Sequence, residues 1–178
     1  MQSNKTVIIF LIKFFGTYAL LFLLYSFYLD KSQVDSDSFS CAPITKTVAN
    51  QTQFVLNNFG YYTEIMQSKD ELSMQVIIND KCVARVIEGC NAISIIILFV
   101  SFIVAFASTF KATFLYIIFG SLLIYFTNIL RIAFIVVALY KYPQFENILH
   151  NIVFPSLIYG MTFLLWVLWV SKFSKLKK

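Results

Sequence analysis

Three residues in this chain could carry covalent chemistry if the fold brought them together: Cys90, Arg131 and His150. A thiol attacks as its thiolate, and a helix N-terminus or a neighbouring cation lowers a cysteine pKa from about 8.5 to about 3.5–7.5. A guanidinium is permanently charged and offers five donors, so Arg131 could hold the oxyanion of a tetrahedral intermediate. Histidine takes and returns protons near neutral pH, and His150 is the only one in the chain. Nucleophile, oxyanion holder and acid/base make a complete acyl-transfer set. Singly, each also has a plain structural role: a small packing residue, a side chain snorkelling to the headgroups, and an interfacial polar group.

Whether the three meet depends on the elements that carry them. Of 178 residues, 59% are hydrophobic and only 13% charged, and the mean hydropathy is +0.76. Soluble domains carry about 25% charged residues. A soluble enzyme, a disordered chain and a coiled coil are therefore excluded, and the fold class is an all-α integral membrane protein. Four stretches approach the roughly 20 residues that span a bilayer: 7–29, 92–110, 112–140 and 152–170. The third carries Asn128 and Arg131, and an intramembrane arginine costs about 2.5–3.5 kcal/mol on insertion scales. Tyr25, Tyr28, Tyr140, Tyr142, Trp166 and Trp169 lie near segment ends, where amphipathic rings favour the interface. The first stretch reads as an uncleaved anchor, being longer than a signal-peptide core and followed by no small-x-small site.

The chain thus divides into an anchor (1–29), an extracytoplasmic α+β insertion (30–89) and a three-helix membrane core with a basic tail (90–178). Within the insertion, Val48, Val55, Leu56 and Phe59 predict an amphipathic helix over 44–59. β-branched runs on either side of Asn79-Asp80 predict a hairpin that delivers the chain to Glu88-Gly89-Cys90. The insertion holds five basic and eight acidic residues, whereas Lys5, Lys13, Lys111 and the tail lysines 172, 175, 177 and 178 flank the other ends of the spans. Positive residues stay inside, so both termini face the cytoplasm and the insertion faces out. Cys90 then opens the second span, Arg131 lies a few turns below the outer end of the third, and His150 opens the fourth. One face receives all three.

Other residues carry weaker signals. Asn128 stands three before Arg131 on the same helix face, where it could orient the guanidinium or a substrate carbonyl, or hydrogen-bond a neighbouring helix. Asn91 and Glu88 flank the thiol and are further candidates for orienting substrate; Glu88 could also pair with Arg131 or His150, or be a solvated acid. Cys41 and Cys82 could form a disulfide in an oxidising compartment, leaving Cys90 free. Gly120 and Gly160 suit close helix packing. With one histidine, no CxxC and no HExxH, no metal set is expected. The basic tail beside an apolar run reads as a contact with membrane lipids rather than nucleic acid, and no cofactor motif is present.

The same residues resemble the exosortase/archaeosortase family. Glu88-Gly89-Cys90 is similar to its nucleophile motif, Asn128-Ile129-Leu130-Arg131 to its N-x-x-R motif, and His150 to the histidine opening the next helix. The small size and the Gly-Cys-Asn-Ala-Ile-Ser run resemble the exosortase F (XrtF) branch of the Bacteroidota. The resemblance implies a multi-pass protein of the cytoplasmic membrane that cleaves C-terminal sorting signals of exported proteins through a thioester acyl-enzyme. A cell-envelope nucleophile would accept the acyl group. Ala92 departs from the glycine many members have there, and larger members have more helices, so this core could need an accessory protein or a homodimer. A non-catalytic envelope scaffold, a thiol oxidoreductase and a transporter around Arg131 remain as alternatives; the oxidoreductase would need paired cysteines.

Overall fold

The computed structural model describes residues 2–33, 40–69 and 71–172. A long helix α1 (Gln2–Gln33) leads to α2 (Pro43–Asn58), strands β1 (Thr63–Gln67), β2 (Ser73–Ile78) and β3 (Lys81–Ile87), and a 3-10 turn over Glu88–Cys90. Helices α3 (Ile93–Ala105) and α4 (Phe110–Lys141) follow. A short 3-10 turn (Pro143–Phe145), the one-turn α5 (Glu146–Ile148) and a π-helical turn (Leu149–Val153) then open α6 (Phe154–Lys172).

Among the described residues, three helical stretches are long and apolar enough to cross a membrane: Val7–Ser32, Phe110–Lys141 and Pro143–Lys172. The second expected span is shorter than its apolar composition suggests. Its helix, α3, has 13 residues, about 20 Å at 1.5 Å per residue against a hydrocarbon core of about 30 Å. The apolar run 92–110 overstates the helix because its last residues turn instead: Phe106 ends α3, and its carbonyl accepts the Trp169 indole N–H at 3.1 Å.

The helices alternate in direction. Phe10, near the start of α1, packs on Phe102 and Phe106 at the end of α3, while Tyr25 near its other end meets Asn91 just before α3. Tyr116, near the start of α4, donates to the Leu165 carbonyl late in α6 at 2.7 Å. The end of α1, the start of α3, the end of α4 and the start of α6 therefore share one end of the bundle, and the insertion sits there too.

Two cores meet along α4. Its N-terminal half packs with α3 and α6 around Phe99, Ile103, Ile124, Ile158, Leu165 and Trp169. On α6, Ile158, Thr162, Leu165 and Trp169 are buried at helical spacing. Gly120 makes room for the Phe99 side chain of α3, since a Cβ there would lie 2.3 Å from the ring. Gly160 does not match its expected role, because nothing stands within 4 Å of a Cβ built on it. Trp169 also departs from the interface expectation: it is buried in the bundle, and Trp166 stacks on Phe102.

The C-terminal half of α4 joins a second core. Ile132, Ala133 and Val136 pack against Val48, Ala49 and Leu56 of α2 and Met74, Val76, Ile78 and Val86 of the sheet. The sheet is antiparallel in the order β1-β2-β3. Its β2–β3 hairpin turns on Asn79 and Asp80 at φ 50 and 60°, the left-handed pair a two-residue type I′ loop requires. A register shift at Val76/Ile77 leaves Val83 unpaired. Polar ties reinforce the docking: Tyr125 donates to Gln51 at 2.7 Å and Asn79 to the Tyr140 hydroxyl at 2.8 Å.

Candidate active site

The seam between the two cores is where the chain passes from β3 into α3. Cys90 packs against the insertion core and Ala92 belongs to the membrane core. Between them the backbone makes a sharp passage, with Ala92 held at φ 67°. An alanine there bears a Cβ–carbonyl clash of about 1–2 kcal/mol that glycine escapes. The departure from glycine noted in the sequence thus falls at a left-handed residue.

Two residues of α4, one turn apart, hold Cys90. Asn128 is almost wholly buried, at 1% exposure, and its Nδ2 donates to the Cys90 carbonyl at 2.7 Å. Arg131 brings its guanidinium close enough to the Cys90 side chain to interact with it electrostatically, and the Tyr159 hydroxyl of α6 lies within the same range. The Arg131 Nε is buried with no hydrogen-bond partner among the described residues. The N-x-x-R spacing thus acquires a physical meaning: one side chain fixes the backbone of the thiol residue and the other faces its sulfur.

The neighbours of Cys90 face inward rather than toward a ligand. Glu88 is not a solvated acid. Its Oε1 accepts from the Ala42 N–H at 2.6 Å and its Oε2 accepts from the Thr45 hydroxyl. It therefore caps α2, whose N-cap residue Ala42 supplies no side-chain cap, and a carboxylate suits the positive end of a helix. Asn91 is fully buried. Its Nδ2 donates to the Tyr25 hydroxyl at 2.7 Å and to Thr45 Oγ1 at 3.1 Å, and its Oδ1 accepts from the Ile93 N–H at 3.0 Å. Both donors and the acceptor of that amide are engaged within the fold. Thr45 carried no signal in the sequence and Tyr25 only that of an interfacial ring, because their partners here lie 46 and 66 residues away.

His150 lies in the π-helical turn Leu149–Val153 at the head of α6, nine positions ahead of Tyr159; its side chain lies outside what is described. Pro155 explains part of that turn, since it lacks the N–H that would continue a regular ladder. Cys41 and Cys82 are free. Cys41 sits beside Gln67, which pairs through Met74 to Val86, whereas Cys82 pairs with Ile77 near the other end of β3. That offset of several residues at about 3.3 Å each exceeds a disulfide's reach. Burial pushes the Cys41 thiol up, partly offset by Gln67. No group of three or more metal-ligating side chains occurs among the described residues.

Together these features define a helical membrane protein that presents a cysteine to a half-buried arginine beneath a small α+β cap. Residues 7–170 match the family model described as Transmembrane exosortase (Exosortase_EpsH), and the chain belongs to that family. No curated protein and no solved structure matches the chain.

Proposed function

We propose that this is a membrane cysteine peptidase/transpeptidase, of the exosortase F type, that cleaves C-terminal sorting signals of exported proteins at the outer face of the cytoplasmic membrane. The carrying observation is the Arg131 guanidinium set against the Cys90 side chain with a buried, unpartnered Nε. In this reading the Cys90 sulfur attacks the scissile carbonyl carbon, and the oxygen takes up negative charge facing Arg131. Collapse of the tetrahedral species breaks the C–N bond, and His150 returns the thiol proton to the leaving amine. An envelope nucleophile, or water, then attacks the thioester and regenerates the thiol.

The open side of the turn suits a peptide. Gly89 is exposed, with nothing within 4 Å of a Cβ built on it, so an extended chain can approach beside the sulfur. Support for His150 is chemical and topological: it is the only histidine, and its backbone opens the helix that carries Tyr159. The topology proposed is four crossings with both termini cytoplasmic, α3 and its flanking turns making the second. The lysines at the other end of the bundle, Lys5, Lys13, Lys111 and Lys172, support it.

The test is a substitution series in cells that process such a signal. Cys90→Ala, Arg131→Ala and His150→Ala should each abolish or sharply reduce processing while the protein stays in the membrane. Unchanged processing in all three would favour the scaffold reading.

A further inference from the structure

The turn that presents Cys90 is closed by a side chain from outside the signature motifs, that of Thr45. Glu88 and Asn91 bracket Gly89-Cys90, and both reach back to one hydroxyl. Thr45 Oγ1 donates to Glu88 Oε2 and accepts from Asn91 Nδ2 at 3.1 Å. One hydroxyl donates one proton and accepts on its lone pairs, so both roles are in use. Thr45 is fully buried and lies in the first turn of α2, where its own N–H bonds the Ala42 carbonyl at 2.9 Å. Glu88 bonds the N–H of that same Ala42 at 2.6 Å, and Asn91 also reaches Tyr25 of α1 at 2.7 Å. The four residues Glu88–Asn91 thus form a loop pinned at both ends, with the thiol on the part left free to face Arg131.

We propose that Thr45 is a positioning residue for the nucleophile: its hydroxyl clamps both flanks of the Cys90 turn and so holds the sulfur against Arg131. The insertion then serves the reaction without touching substrate, by presenting the first turn of α2 as the anchor. This rests on the reading of Cys90 as nucleophile, but its consequence for thiol geometry can be measured without catalysis. Valine preserves the shape of threonine and removes the hydroxyl, so Glu88 Oε2 loses that donor, Asn91 Nδ2 loses that acceptor, and both flanks of the turn loosen. Serine keeps the hydroxyl.

The experiment follows alkylation of Cys90 by iodoacetamide in the full-length membrane-embedded protein, in a Cys82→Ser background. Cys41, buried in the insertion core, reports folding by its protection. Alkylation needs a defined line of approach to the sulfur, so its rate reports where the turn holds the thiol. Thr45→Val should therefore change Cys90 alkylation at pH 7 by at least threefold while Cys41 stays protected. Thr45→Ser should stay within twofold of the parent, and Tyr125→Phe, which loosens α2 from α4 elsewhere, should do the same. Processing should fall at least tenfold in Thr45→Val and recover in Thr45→Ser. Parent-like alkylation in Thr45→Val, an equal change in Tyr125→Phe, or changed alkylation with full processing would each overturn the proposal. If Thr45→Val exposes Cys41, Glu88→Gln replaces it, and parent-like alkylation there overturns the proposal too. A Cys90→Ala protein that still processes substrate would instead sink the catalytic reading and leave the geometric result standing.

Discussion

The packing of the Phe99 ring of α3 over Gly120 of α4 gives a prediction whose size follows from one distance. A Cβ added to Gly120 would lie 2.3 Å from Phe99 Cζ and 2.7 Å from its Cε1. Comfortable carbon–carbon contact begins near 3.5 Å, so the ring must retreat by about 1.2 Å. Phe99 is fully buried and packs between Gly120, Tyr116 and the rest of the membrane core, which leaves the ring little free space. Overpacking of this kind costs about 1–3 kcal/mol. Gly120→Ala should therefore destabilise the protein by about 2 kcal/mol, measured by reversible unfolding in mixed micelles. Gly160→Ala, with open space around it, should stay within about 0.5 kcal/mol of the parent. Trimming the ring tests the cause: Phe99→Leu combined with Gly120→Ala should recover at least about 1 kcal/mol relative to the sum of the single changes. A Gly120→Ala protein as stable as the parent, or strictly additive single changes, would refute the close packing of α3 on α4.

Three further outcomes are expected. Asn128→Leu leaves the Cys90 carbonyl without its donor, a loss of about 1–3 kcal/mol; carried wholly into the transition state, that slows processing about 5- to 150-fold, read as kcat in single-turnover assays. Ala92→Gly relieves a left-handed strain of about 1–2 kcal/mol but gives up one buried methyl at about 0.8 kcal/mol and backbone entropy of about 0.5–1 kcal/mol. It should be near neutral in the same unfolding assay, while Ala92→Val, β-branched at φ 67°, should lose more than about 2 kcal/mol. Maleimide should label Cys82, which is exposed, well before Cys41, which is buried. Because burial holds the Cys41 thiol neutral, its labelling should rise only at a pH above the ordinary thiol range, and earlier labelling would argue against its burial.

Much of this architecture was legible because local physics decided it. The Asn79-Asp80 hairpin formed between β-branched runs, and the amphipathic stretch became α2 within a residue of its expected ends. β1 was missed because Thr63-Glu64-Ile65-Met66-Gln67 has neither a β-branched run nor strict alternation, and it is an edge strand joined by pairing to β2 alone. α3 was overestimated because hydropathy does not distinguish an apolar helix from an apolar turn.

At the site, chain direction alone was enough to bring Cys90 toward Arg131, since each sat near the same end of its helix. Asn128 shares the face of Arg131 as its spacing required, yet its partner is the Cys90 backbone rather than the guanidinium. The inward roles of Glu88 and Asn91 could not be read from the chain. Their partners, the Thr45 and Tyr25 hydroxyls and the Ala42 backbone N–H, are distant in sequence with no spacing rule to connect them.

The central claim is that Cys90 forms a covalent acyl intermediate. It is tested most directly by mass spectrometry of the full-length protein isolated from cells processing an exported substrate with a C-terminal sorting signal. An adduct is expected on the Cys90 peptide that carries the N-terminal, exported fragment of the substrate joined through its newly formed C-terminal carbonyl, is released by hydroxylamine as a thioester is, and is absent from Cys90→Ala. Continued processing by Cys90→Ala, or an adduct on another residue, would contradict it.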